Sequence, residues 1–236
     1  MQENSRPVLY LCPTPISERH PNLIFSRDNI SKIIDNKAFI VENIKTTRRF
    51  LKKLDPEIEI DSIQFVELNK HKDNQTNSEI IELFKHHNRI GLMSEAGLPC
   101  IADPGNLVVR YAHSLNWKVV PIDGPSSIIL ALISSGLNGQ SFKFNGYLPL
   151  EKDKKKTYIL QLEKESSLTT QLFIEAPYRN DSLFQDLLQI LHPQTFLLIA
   201  SDIQGEKESI RCMSIAEWKK NQILIGKTPC MFAIGK

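Results

Sequence analysis

The chain predicts an α/β protein of two domains, on three observations. Short apolar runs alternate with helical patterns of about ten residues through the first half, the signature of parallel βαβ units. Two of those runs end in loops of glycine, proline and small side chains, at Ser94-Glu95-Ala96-Gly97-Leu98-Pro99 and at Asp123-Gly124-Pro125-Ser126-Ser127. Beyond Pro125 the strands cluster late with few helices between them, which indicates a mixed or antiparallel sheet. Residues 1–121 are read as an N-terminal α/β domain with a largely parallel sheet. Residues 122–236 are read as a C-terminal α/β domain with a mixed sheet, joined near Ile122 without a long linker.

In order, Val8-Leu9-Tyr10-Leu11 is a short strand that stops at Cys12-Pro13-Thr14-Pro15-Ile16, because two prolines cannot continue a central strand. Ala38 to Val41 is a second strand, followed by Glu42-Asn43 and a helix carrying Arg48, Arg49, Lys52 and Lys53. Ser62 to Leu68 reads as a third strand. Lys70 to Asn77 is polar throughout and reads as an exposed loop, with Asn77 or Ser78 as N-cap for a helix from Glu79 to His87. Ile90 to Met93 is a strand, and Leu107, Val108, Tyr111 and Leu115 mark a helix after Asp103-Pro104-Gly105. Val119 to Ile122 is the next strand.

Past the second loop, Ser126 to Ser135 is an apolar helix stopped by Gly136, and Phe142 to Tyr147 is a strand ending at Leu148-Pro149. A helix start rich in Lys152, Lys154, Lys155 and Lys156 follows. Gln171 to Glu175 is a strand, Arg179 to Leu191 a helix, and Thr195 to Ala200, Glu206 to Met213 and Cys230 to Ile234 are late strands. Trp117 and Trp218 read as packing residues, and His86-His87 as an exposed helix end.

The two small-residue loops are the candidate binding crevice. Both are read as lying at the carboxyl ends of neighbouring strands, where α/β sheets bind ligands, and glycine there lets backbone groups reach a ligand directly. Composition sets the outer bounds. With 236 residues and 41% of them hydrophobic, the chain can bury one large core or two modest ones. A net charge of +2 is too mild to demand a nucleic-acid partner and compatible with one if the positive charge clusters. The four cysteines, Cys12, Cys100, Cys212 and Cys230, show no CxxC spacing and no histidine set to complete a zinc site, so no metal is expected. Reduced buried thiols, the absence of a signal pattern in MQENSRPVLY and the absence of a long apolar run point to a soluble cytoplasmic protein.

The order of motifs resembles a known family. Leu9-Tyr10 with Pro13-Thr14-Pro15-Ile16, Ser94-Glu95-Ala96-Gly97-Leu98-Pro99, Asp103-Pro104-Gly105, Asp123-Gly124-Pro125-Ser126, Ser135-Gly136-Leu137, Gly146-Tyr147-Leu148-Pro149 and Phe173-Ile174-Glu175 with Arg179 follow one another as in the tetrapyrrole-methylase-fold methyltransferases. Within that family the chain is most similar to the small-subunit rRNA (cytidine-2′-O)-methyltransferases. The resemblance runs from about residue 8 to the C-terminus. It implies S-adenosylmethionine as methyl donor, a crevice between two α/β domains, and a homodimer. By position it implies cofactor contacts from Pro13, Ser94, Glu95, Ala96, Gly97, Pro99, Asp103, Pro104, Gly124, Ser126 and Ser127. Departures exist: Ser17-Glu18-Arg19-His20 stands where the family has GNL, and Val41-Glu42-Asn43-Ile44-Lys45 where it has AEDTR. Glu95 and Leu98 replace the Asp and Thr of its SDAGTP loop.

Methyl transfer from a sulfonium is an in-line displacement, so positioning supplies much of the catalysis and backbone contacts can suffice. A ribose 2′-hydroxyl is a poor nucleophile at neutral pH, which makes a base useful. Glu42 is the candidate base, with Glu95 as a second carboxylate; a solvated loop carboxylate is the plain alternative. Glu175 is either a ligand group or the ion-pair partner of Arg179. Arg48, Arg49, Lys52 and Lys53 form one basic cluster and Lys154, Lys155 and Lys156 a second; they are solvated helix faces or, with the resemblance, phosphate contacts for rRNA or an assembled small subunit. Neither cluster carries interleaved aromatics, so base stacking is not signalled. Two other readings stay open: a methyltransferase acting on a small molecule such as a tetrapyrrole, and a non-catalytic paralogue that binds S-adenosylmethionine or ribosomes.

Overall fold

The computed structural model describes residues 6–68 and 78–236. The expected polar loop and the candidate cap Asn77 lie outside the described residues. The chain divides into two compact units, Met1–Pro125 and Ser126–Lys236. The division falls after Pro125 rather than after residue 121, because Ile122 is buried with Cys12, Phe25 and Met93 in the first unit's core.

In the first unit, strands β1 (Val8–Leu11), β2 (Ala38–Val41), β3 (Gln64–Glu67), β4 (Arg89–Met93) and β5 (Lys118–Pro121) form one sheet in the order β3-β2-β4-β1-β5. Every pairing in it is parallel. The helices are α1 (Arg27–Ile34), α2 (Ile44–Leu54), α3 (Ser78–His86) and α4 (Asn106–Ser114). Side chains alternate across a strand, and the core follows that period. Ala38, Ile40, Ile90 and Leu92 pack with α3 and α4 residues such as Leu83, Phe84 and Val108 on one face. Phe39, Val41 and Met93 pack with α1 and α2 residues such as Ile33, Phe50 and Leu51 on the other. Gly91 in β4 has to be glycine, since a Cβ there would sit 2.4 Å from the Phe39 ring.

One expectation fails here. β4 and β5 are not neighbours, because β1 lies between them. The hydrophobic period of a strand carries no information about its place in the sheet, which rests on tertiary packing.

In the second unit, α5 (Ser127–Ser135), capped by the Ser126 hydroxyl and ended by left-handed Gly136, lies against the late strands. Strands β6 (Phe142–Tyr147), β7 (Thr170–Ile174), β8 (Phe196–Ser201), β9 (Ser209–Ser214) and β10 (Cys230–Gly235) pair in the order β6-β7-β10-β8-β9. Only β6 and β7 run parallel; the remaining pairings are antiparallel, so the sheet is mixed, as expected. Helices α6 (Lys152–Glu165), α7 (Asn180–Ile190) and α8 (Ile215–Lys220) close a core around Phe173, Phe184, Trp218 and Phe232. Trp218 is fully buried and its indole N–H donates to the Leu197 carbonyl at 2.8 Å. Trp117 is likewise packed, against Phe84.

All four cysteines are free, with Cys12 and Cys230 buried and Cys100 and Cys212 half-buried. Burial pushes the Cys230 thiol up to about 12 and the Cys212 thiol to about 11. No helix among the described residues is long and apolar enough to cross a membrane.

Candidate functional site

The carboxyl edge of the first sheet gathers the loops that the motifs single out. β4 lies between β1 and β2, whose following helices pack on one face, while α4, which follows β4, packs on the other. Adjacent strands whose connections leave on opposite faces open a crevice at their carboxyl ends. The β4 loop, Ser94 to Gly97, projects from that point.

It is held on both flanks. From the β1 side, Thr14 and Gly97 form an antiparallel bridge, with Thr14 N–H to Gly97 O at 2.9 Å and Gly97 N–H to Thr14 O at 3.1 Å. The buried Thr14 hydroxyl also donates to the Ser94 carbonyl at 3.4 Å. From the β2 side, the Glu42 carboxylate accepts the Glu95 backbone N–H at 3.1 Å. Glu42 is 8% exposed, so it is not a solvated loop carboxylate. The next residue, Asn43, is the N-cap of α2 and accepts the Thr46 N–H at 3.1 Å.

Gly97 needs its positive φ of +75°, a conformation that costs a side chain about 1–2 kcal/mol. Gly124 meets a different constraint. A Cβ there would lie 2.1 Å from the Cβ of Pro13, so the β5 loop rests directly on the β1 loop. The same loop is held by Asn29, whose amide donates to the Asp123 carbonyl at 3.2 Å. Before α4 the chain passes through a turn at Pro99-Cys100 and runs on to Gly105, the N-cap. Cys100 and Ala102 on the way hold φ values of +69° and +63°, uncommon for non-glycine residues and a form of local strain. Burial, and behind it Asp103, raises the Cys100 thiol.

These facts sort the candidate cofactor contacts. Pro13, Ser94, Gly97 and Pro99 are buried and build the loops. Asp103 and Pro104 are half-buried in the run to α4. Glu95, Ala96 and Gly124 are exposed at the crests. Among the described residues, the N–H groups of Ala96 and Gly124 have no hydrogen-bond partner. Ser126 and Ser127 open α5, where the Ser126 hydroxyl accepts the Ile129 N–H at 3.4 Å. Sequence reasoning missed Thr14 as an anchor. Its place between two prolines marked a stiff loop but not the partner strand.

The basic clusters divide as well. On α2, Arg48 pairs with Asp61 at 2.5 Å and Lys52 donates to the Pro56 carbonyl at 2.8 Å, whereas Arg49 and Lys53 are exposed. Lys52 and Lys53 fall in the last turn, roughly 12 Å along the axis from the carboxyl edge, so helix-dipole stabilisation accounts for them. On α6, Lys154 pairs with Glu151 at 2.9 Å and Lys155 with Asp186 at 2.6 Å, leaving Lys156 exposed in the first turns. Glu175, buried after β7, is the ion-pair partner of Arg179, at 2.5 Å.

Comparison with known proteins now bears on this geometry. The chain is 32% identical over 220 residues to ribosomal RNA small subunit methyltransferase I of Vibrio cholerae, spanning 91% of this chain and 71% of that protein. It is 34% identical over 204 residues to the protein of the same name from Bacillus subtilis, spanning 86% and 66%. No family model matches. Among solved structures the methyltransferase CobJ superimposes with a TM-score of 0.62 at 9% identity, covering 98% of this chain and 95% of that one, a likeness of fold. Methyltransferases of this family and fold use S-adenosylmethionine. On its match to the Vibrio protein, the chain belongs to the ribosomal RNA small subunit methyltransferase I family and is a methyltransferase.

Proposed function

We propose that this protein transfers the methyl group of S-adenosylmethionine to the 2′-oxygen of a cytidine ribose in small-subunit rRNA. The observation that carries the reading is a small-residue loop after β4, pinned by Thr14 and Glu42, in a chain whose relatives bear the rRNA methyltransferase name.

The residues present fit such a donor. The crest of the β4 loop and Gly124 on the β5 loop offer free N–H groups, and Gly124 has no room for a side chain. Ala96 and Gly124 would contact the donor through their backbone, with Glu95 beside them; Ser94, Gly97, Pro99 and Pro13 hold those contacts in place. When bound, the donor supplies an electrophilic methyl on a sulfonium. The chain then has to align the acceptor oxygen with that methyl and keep both still, which is the effect of a rigid loop.

Glu42 acts first as a positioning residue, since one of its oxygens already holds the Glu95 N–H. Glu42→Gln separates this from a role as base: glutamine still accepts the N–H but takes no proton. Retention of kcat in Glu42→Gln, with loss of donor affinity in Glu42→Ala, is the result expected of positioning. Exposed Arg49 and Lys156 are the phosphate contacts we retain from the basic clusters. The resemblance also supports a cytoplasmic homodimer, which light scattering would read as twice the 27.0 kDa chain.

The test is transfer of radiolabelled methyl to small ribosomal subunits from a strain deleted for the gene, followed by nucleoside analysis. The expected product is 2′-O-methylcytidine. Absence of label in a preparation that binds the donor, or label on a base, overturns the acceptor and directs attention to small molecules.

A further inference from the structure

The loops after β6 and β7 present a feature that the cofactor edge lacks. The two strands are parallel, with Tyr147 opposite Ile174, so the segments that follow leave from the same edge of the second sheet. Tyr147 is 61% exposed and Tyr178 is 70% exposed, and neither ring belongs to the unit's core. The Arg179 guanidinium lies 5.3 Å from the centre of the Tyr178 ring. That guanidinium is in turn fixed by two hydrogen bonds to one oxygen of buried Glu175, at 2.5 and 3.0 Å. The same oxygen accepts the Ala176 N–H at 2.7 Å, which sets the direction of the turn. Exposed Lys152 and Lys156 follow Tyr147 within the next ten residues, with Lys154 between them paired to Glu151.

Packing gives no reason for two rings to stand in water, one of them against an ordered guanidinium. Recognition of unpaired RNA gives one. Splayed bases stack on aromatic faces while nearby cations meet the backbone, and an enzyme that must reach one ribose gains by holding a base out of its stack.

We propose that Tyr147 and Tyr178 form a stacking surface for an unpaired base of the RNA substrate, with the Glu175–Arg179 pair as the positioning element that orients Tyr178. This rests on the rRNA reading above. The occupant is single-stranded RNA rather than protein because Arg179 lies over the Tyr178 ring and exposed Lys152 and Lys156 open the helix that follows Tyr147, a match for phosphate charge.

The test compares three proteins: wild type, the pair Tyr147→Leu/Tyr178→Leu, which keeps apolar bulk and loses the π faces, and the pair Tyr147→Phe/Tyr178→Phe, which keeps them. Each is titrated with a single-stranded oligocytidine probe and assayed on small subunits for KM and kcat. The leucine pair is expected to weaken probe binding about tenfold or more and to raise KM, with donor affinity unchanged; the phenylalanine pair stays within about twofold of wild type. If wild type methylates small subunits and the leucine pair matches it in KM and probe affinity, the stacking surface is overturned and the rRNA reading stands. If wild type does not methylate small subunits, the reading falls and the inference with it. If the leucine pair melts early, Tyr178→Leu alone, lying beyond the strand, carries the same test.

Discussion

The two units solve the same problem at the end of a parallel strand pair in opposite ways. After β1 and β4 the loops are joined backbone to backbone through Thr14 and Gly97, and alanine and glycine stand at and beside the crest. After β7 the chain is ordered by a side-chain ion pair, Glu175 with Arg179, and large rings are left outside at the ends of both β6 and β7. The first arrangement offers peptide groups to a ligand and depends on the absence of side chains. The second offers side chains themselves. Substitutions should therefore break the first by adding atoms and the second by removing them.

The largest effect is expected from adding one methyl group at the cofactor edge. Gly124→Ala forces a Cβ against the Pro13 ring, which cannot move aside as a flexible side chain would. Urea denaturation should show a loss of about 2–3 kcal/mol, accompanied by loss of S-adenosylmethionine binding. In the second unit the counterpart is a deletion. Arg179→Ala leaves the buried Glu175 carboxylate with the Ala176 N–H and without its cation, and should lower the midpoint in the same measurement by less than Gly124→Ala does. Glu175→Gln, which leaves a neutral group behind, should cost less. An Arg179→Ala protein as stable as wild type would mean the pair does not order the turn.

Smaller again is the flank of the β4 loop. Glu42→Ala leaves the Glu95 N–H without its acceptor, a loss of about 1–2 kcal/mol that calorimetry should read as roughly ten-fold weaker donor binding. The smallest effect lies away from both edges. Ser214 and Glu217 form a capping box at α8, and Ser214→Ala should cost about 1 kcal/mol. The hydrogen bond from the Ser214 hydroxyl, and then that from its N–H, hold the Glu217 carboxyl below its ordinary value of 4.5. Its contribution is thus present above pH 4.5 and fades as pH falls through the lower folded value. Acid titration of Ser214→Ala should show the hydroxyl's share of that pH dependence gone, with the share of the backbone N–H kept.

Much of this architecture could be read from residues alone, because local signals were strong. Ala38 to Val41 is a strand in which every residue is buried, and Gly136 stops α5 in the left-handed conformation that glycine favours. Two helices passed unread although their caps were visible: Ser26 before α1, and the Ser-x-x-Glu box that starts α8. The misplaced neighbour relation of β4 and β5 has another cause. Insertion of β1 between them is settled by which sheet faces α1 to α4 cover, and no single segment encodes that. At the site, the small-residue loops were legible as loops, while their fastening was not. Glu42 looked like a free carboxylate because its partner is a backbone N–H 53 residues away. The tyrosines were invisible as a surface, since exposure of an aromatic ring is a tertiary fact.

The contrast between the two edges can be tested in one crossed measurement: titration of S-adenosylmethionine and of oligocytidine into Glu42→Ala and into Tyr147→Leu/Tyr178→Leu. Glu42→Ala should lose donor affinity and keep RNA affinity, while the tyrosine pair should do the reverse. If both variants lose the same ligand, or if Glu42→Ala binds the donor as wild type does, the assignment of the β4 loop to the donor and of the tyrosine edge to RNA is contradicted.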